Sequence, residues 1–211
     1  MYKLAILFAA ATISTFSSAT VIHDEALLGD LSNDPLAPTS LTFGVGSNEI
    51  SGTVVTSNDT SNDTRDYFTF TIGDGLVLDS IDLVSYFDVD GNPADDGFAA
   101  INAGTTTTQP AGMGGSVDAD FLGGAHVGAD QLPGAGGSLA ADLAGAENIG
   151  TTFDFPLTAG DYSFLIQQTG PENTGYTLDF VVSPVPLPAA VWLFVSGLLG
   201  LFGVKRMRSS S

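Results

Sequence analysis

Apolar and polar positions alternate with a period of two in several short stretches, and no helical period of a dozen residues stands out. In Tyr67-Phe68-Thr69-Phe70-Thr71-Ile72, aromatic and β-branched residues follow Asp66 and stop at the turn Gly73-Asp74-Gly75, as a strand and its reversal would. Residues 76–78 and 81–87 read as the next two strands, and 98–101 as a weaker one. Towards the end, 151–155, 162–168 and 176–182 repeat the pattern, with turn signals at 159–161 and 170–173. Short strands at this spacing predict an all-β fold, an antiparallel β-sandwich. Residues 112–149 break the rhythm. They are rich in Gly and Ala, which predicts a long loop or irregular excursion, with one or two helical turns over 138–146.

Two segments depart from alternation altogether, one at each end of the 211 residues. Residues 1–19 carry Lys3, then an apolar run, then Ser17-Ser18-Ala19, the three parts of a secretory signal helix cleaved after Ala19. At the other end, Val185-Pro186-Leu187-Pro188 precedes the uncharged stretch 189–204, followed by Lys205-Arg206-Met207-Arg208. Sixteen helical residues span about 24 Å, slightly short of a ~30 Å hydrocarbon core. The basic cluster can snorkel and stays on the cytoplasmic side, while the prolines keep the upstream segment extended and accessible. A plain single-span anchor has the same physical profile. The order of motif, apolar helix and basic stop resembles the PEP-CTERM sorting signal in its VPLPA variant, over about 26 residues, with Leu187 where the namesake motif has Glu. The resemblance implies recognition and removal of the tail by an exosortase after transient membrane anchoring. It also implies delivery to the surface or extracellular matrix of a Gram-negative bacterium that makes exopolysaccharide.

Charge sharpens this picture. Residues 20–183 hold all 24 acidic residues and a single base, Arg65, for a net −23. Such a surface repels nucleic acid and anionic lipid and attracts divalent cations. Cysteine is absent, which excludes disulfides, thiolate metal sites and cysteine nucleophiles. The chain therefore divides into the signal 1–19, an N-terminal strand and loop region 20–64, the sandwich proper 65–183, and the sorting signal 184–211 with its transmembrane helix 189–204. Asp66-Tyr67-Phe68-Thr69-Phe70, Leu157-Thr158-Ala159-Gly160-Asp161-Tyr162-Ser163-Phe164 and Tyr176-Thr177-Leu178-Asp179-Phe180 are similar to bacterial pre-peptidase C-terminal domains. That resemblance implies a jelly-roll-like sandwich, attached to secreted proteins and without catalytic residues.

Chemistry concentrates in one loop. Asp88, Asp90, Asn92, Asp95 and Asp96 place five oxygen-bearing side chains within nine residues around Gly91, a composition suited to Ca²⁺. The spacing is not that of an EF-hand, and a solvated acidic turn uses the same residues without an ion. The tandem Ser-Asn-Asp-Thr at 57–60 and 61–64 reads as a polar loop. No nucleophile motif is present, since Gly114-Gly115-Ser116-Val117-Asp118 fails at its last position, and His126 stands alone as a base. The expected protein is exported and non-enzymatic, belongs to an exopolysaccharide or biofilm matrix, and needs no cofactor beyond a possible Ca²⁺. A Ca²⁺-dependent or carbohydrate-binding module and a cryptic hydrolase are the rival readings.

Overall fold

Tyr176, Leu178, Phe180 and Val182 alternate with Thr177, Asp179 and Val181, and the alternation survives in three dimensions: the first set is buried and the second half-buried. The computed structural model describes residues 18–55, 65–88, 90–94, 97–107, 121–145, 153–170, 173–186 and positions 193, 194 and 196. Their strands are β1 (Thr20–Asp24), β2 (Thr39–Ser40), β3 (Gly46–Val55), β4 (Arg65–Ile72), β5 (Leu76–Asp88), β6 (Gly97–Ala103), β7 (Gly123–Val127), β8 (Gly160–Gln168) and β9 (Asn173–Pro184). Two helices, α1 (Glu25–Leu28) and α2 (Leu139–Ala144), and a 3-10 turn at Ala129–Gln131 complete them. One sheet runs β1-β3-β9-β5 and the other β2-β4-β8-β6-β7, making a β-sandwich.

The inner faces meet in an aromatic core. Phe180 lies 5.6 Å from Phe68, 5.4 Å from Phe70, 5.4 Å from Phe164 and 5.1 Å from Phe43, ring centre to ring centre. Edge-on contacts dominate, the arrangement that ring quadrupoles favour. Each such side chain contributes roughly 1.5–3 kcal/mol by leaving water, and without disulfides this core supplies the stability. A smaller cluster, Tyr67, Phe98, Ala100, Phe121 and Leu165, covers the outer face of the second sheet.

Strand direction sorts the loops. Thr20 stands opposite Asn48 and Val182 opposite Gly46, so the start of β1 and the end of β9 share one pole. At the other pole, Asp24 stands opposite Ser51, Val55 opposite Asn173, and Asp88 opposite Thr174. β3 and β5 therefore both end, at Val55 and Asp88, at that second pole.

Several expectations need correction. Residues 76–88 form one strand, whose register shifts at Leu78/Ser80 and Leu83/Ser85 hide its continuity behind bulges. The sandwich is not wholly antiparallel, because the short strands β1 and β2 run parallel to β3 and β4. The described part of 151–155 is not a strand. Phe153 and Phe155 plug the core, Pro156 has no N–H to give a ladder, and Leu157 alone bridges to Leu78. The 112–149 stretch contains β7 and α2, the latter capped by Ser138, whose hydroxyl accepts from the Ala141 N–H. No helix among the described residues is long and apolar enough to cross a membrane. The signal segment 1–17 lies outside the described residues, as does 189–204 apart from positions 193, 194 and 196.

Candidate metal centre

Three carboxylates meet at the pole away from Thr20 and Pro184. α1 begins where β1 stops: Asp24 caps it, accepting the Ala26 N–H at 3.0 Å, and Gly29 ends it at φ +93°. So short a helix turns Glu25 back against β3. Its Oε1 accepts the Leu31 N–H at 3.0 Å and its Oε2 the Thr53 N–H at 2.7 Å. His23 Nε2 donates to the Gly29 carbonyl at 2.9 Å and ties the same loop to β1. Gly52 makes room: a Cβ there would fall 2.6 Å from the Tyr176 hydroxyl and 2.7 Å from the Glu25 carboxyl carbon.

Asp66 enters from the opposite sheet. It shares the inward face of β4 with Phe68, Phe70 and Ile72 and has no exposed surface. Tyr176 Oη donates to Asp66 Oδ2 at 2.8 Å, while Asp66 Oδ1 is buried without any donor. Asp30, exposed at the rim, receives the Asn33 side-chain amide at 3.2 Å. Glu25, Asp30 and Asp66 each bring one carboxylate oxygen within 4.8 Å of the others.

The electrostatics follow from this crowding. Burial pushes the Asp66 carboxyl up to about 8, the Glu25 and Asp30 charges add to the rise, and the Tyr176 hydroxyl offsets part of it. Burial also raises Glu25, against the lowering influence of the Leu31 and Thr53 N–H groups, with Asp30 raising it further. Burial, then the Asp66 charge, holds the Tyr176 phenol well above its usual range, so it remains a donor. Three carboxylates this close need protons or a cation between them. The donor set is oxygen alone, irregular and partly open on the Asp30 side, which suits Ca²⁺ better than octahedral Mg²⁺ or a nitrogen- and sulfur-seeking metal.

Residues singled out in the sequence fall elsewhere. Asp88 closes its own turn: Oδ1 accepts the Asp90 N–H at 2.9 Å and the Asn92 N–H at 2.8 Å, and Oδ2 accepts the Asn92 amide at 3.0 Å. The Asn92 hydrogen bonds hold the Asp88 carboxyl below its usual range. Asp95 and Asp96 lie outside the described residues. Ala19 is exposed immediately before β1. Val185 donates to the Gly75 carbonyl at 2.8 Å and Pro186 is exposed just beyond β9, whereas Leu187, Pro188, Lys205, Arg206 and Arg208 lie outside the described residues.

No family model matches this chain, and no curated protein matches it either. Among solved structures, the pre-peptidase C-terminal domain of a collagenase from Bacillus anthracis is similar at 14% identity, over 70% of this chain and 98% of that one. The TM-score is 0.29, too loose a superposition to bear on function.

Sequence reasoning missed Glu25 and Asp30, which sit in a region with no motif, and took Asp66 only as the head of a strand. One signal was available. Asp66 is in phase with Phe68, Phe70 and Ile72, so an alternation argument already places a carboxylate on the core face.

Proposed function

We propose that this is an exported, non-enzymatic β-sandwich protein of the cell surface or exopolysaccharide matrix, whose pole opposite Thr20 and Pro184 holds a Ca²⁺ ion on Glu25, Asp30 and Asp66. The fully buried Asp66 with its unpaired Oδ1, beside two more carboxylates within 4.8 Å, carries the metal assignment. An oxygen sealed from water without a donor costs roughly 1–3 kcal/mol, more when charged, and an ion removes that cost. Glu25, hydrogen-bonded to β3 of one sheet, and Asp66, on β4 of the other, hold the ion between them, so it staples the sandwich as a disulfide would in a chain that had cysteines. An affinity of ~0.1–1 mM, as in extracellular modules, suffices outside the cell.

Export and sorting rest on the two terminal segments. The described fold supports their reading by its limits: β1 begins at Thr20, directly after the expected cleavage at Ala19, and β9 ends at Pro184, directly before Val185-Pro186-Leu187-Pro188. Both cuts would spare the sandwich. With Thr20 and Pro184 at one pole, membrane tethering through the segment after Pro184 would face the metal pole outward, about 26 Å away along β9 from Pro184 to Tyr176. Intact-mass spectrometry of the protein recovered from the cell exterior tests this. The expected species starts at Thr20 and lacks the basic cluster; a mass that includes Lys205, Arg206 and Arg208 would leave only a plain anchor.

A further inference from the structure

The outer face of the first sheet carries a row of like charges. Glu49 stands directly opposite Asp179, and Asp179 directly opposite Asp82, across β3, β9 and β5. All three side chains leave from the face away from the core, since Ile50, Leu178 and Leu83 beside them point inward. Like charges directly opposed destabilise a sheet. Two of the three have donors: Asp179 accepts from the Ser47 hydroxyl at 2.7 Å and the Asn48 N–H at 2.8 Å, and Asp82 from the Ser80 hydroxyl at 2.9 Å. Glu49 has no hydrogen-bond or ion-pair partner among the described residues.

Glu49 is also the member of the row that faces β1. Val21 is its cross-strand neighbour, and Thr20, the first residue of β1, stands opposite Asn48. The Thr20 backbone nitrogen therefore lies one strand away, about 4.8 Å, and one residue back, about 3.3 Å, well within the reach of a Glu side chain. In the uncleaved chain that nitrogen is a neutral amide. After cleavage behind Ala19 it is an α-ammonium.

We propose that leader removal creates the missing cation of this face: the new α-ammonium of Thr20 pairs with the Glu49 carboxylate and fastens β1, the strand that leads into Glu25, to β3. This rests on the export reading above. Composition makes the group unusual. The chain's lysines are Lys3 and Lys205, so between Thr20 and Ser183 there is no lysine and the α-amine is the sole primary amine. It is also one of only two fixed cations there, and Arg65 sits on the other sheet. Cleavage thus changes this domain's positive charge from one to two while discarding a segment.

The same scarcity gives a clean experiment. Protein recovered from the cell exterior is sequenced at its N-terminus, then acetylated with an amine-selective reagent, and single modification is verified by mass. Thermal midpoints are compared for the native and Glu49→Gln proteins, with and without acetylation. Acetylation should lower the native midpoint by about 1–3 °C, the size expected of an exposed ion pair, and leave Glu49→Gln unchanged. In 1 M salt the native loss should vanish. No loss on acetylation, an equal loss in both proteins, or a salt-insensitive loss overturns the pairing while leaving export intact. A mature N-terminus other than Thr20 overturns it through the cleavage site, and absence of the protein from the exterior overturns the export reading itself.

Discussion

Asp66 is a carboxylic acid in a place built for phenylalanine, and its protonation should govern stability when no metal is present. In the unfolded chain it ionises near 3.8, and in the folded one near 8. Between those values the folded state binds one proton more, so stability falls as pH rises, by at most about 1.4 kcal/mol per pH unit from this group. In EGTA, denaturant titrations should therefore show the folded state weakening from pH 5 to pH 8. Asp66→Asn should flatten that slope, because a neutral amide has no proton to hold, and an unchanged slope would contradict the assignment. Gly52 is the second decisive position. A methyl group there meets the Tyr176 hydroxyl and the Glu25 carboxylate together, both held by hydrogen bonds, so Gly52→Ala should cost about 1–3 kcal/mol through displacement of both. A chemical-denaturation midpoint indistinguishable from the parent would mean that the two groups yield freely. Neither role was legible from composition, because a glycine among polar strand residues and an aspartate before an aromatic strand are both ordinary. What distinguishes them is whom they face.

The strands were legible where side chains alternate and obscure where they do not. β4, β8 and β9 announce themselves by aromatic and β-branched residues at every second position. β5 looks broken because its two bulges each shift the phase of burial, as the buried pair Val77 and Leu78 shows. β7 begins Gly-Gly-Ala and so has almost no side chains to alternate. Its glycines answer to neighbours instead: a Cβ at Gly124 would fall 2.8 Å from the Phe98 ring. Phe153 and Phe155 mimic strand alternation while serving as plugs, a distinction that pattern alone does not make. The strand that matters most is β9, central to its sheet and paired along both edges. Phe180→Ala should remove about 3–5 kcal/mol, since it empties the point where Phe43, Phe68, Phe70 and Phe164 converge. That is a large share of the 5–15 kcal/mol typical of a domain, and calorimetry should show a much lower midpoint with the transition still cooperative. The loop after β5 behaves differently. Its Asp88 hydrogen bonds already close the turn, so Asp88→Ala should lower the midpoint equally with and without Ca²⁺. A Ca²⁺-dependent difference would instead make the 88–96 loop a second ion site.

Taken as one body, the protein has two unlike poles. Thr20 and Pro184 mark one end, and the carboxylates gather at the other, where Glu25 of α1 packs against β3 of one sheet and Asp66 projects from β4 of the other. The overall −23 of residues 20–183 was plain from the sequence and raised the question of a cation. It did not point to the place, because the fold joins Glu25 to Asp66 across the 40 residues, 26–65, that separate them in the chain. Thermal melts of the processed protein in EGTA and in millimolar Ca²⁺, with the Asp66→Asn variant alongside, decide whether that pole is a metal centre. Binding to the folded state should raise stability by about 1.4 kcal/mol at ten times Kd and about 2.7 kcal/mol at a hundred times, and Asp66→Asn should abolish the gain. An unshifted midpoint, or the same shift in Asp66→Asn, would contradict a calcium ion at Glu25, Asp30 and Asp66.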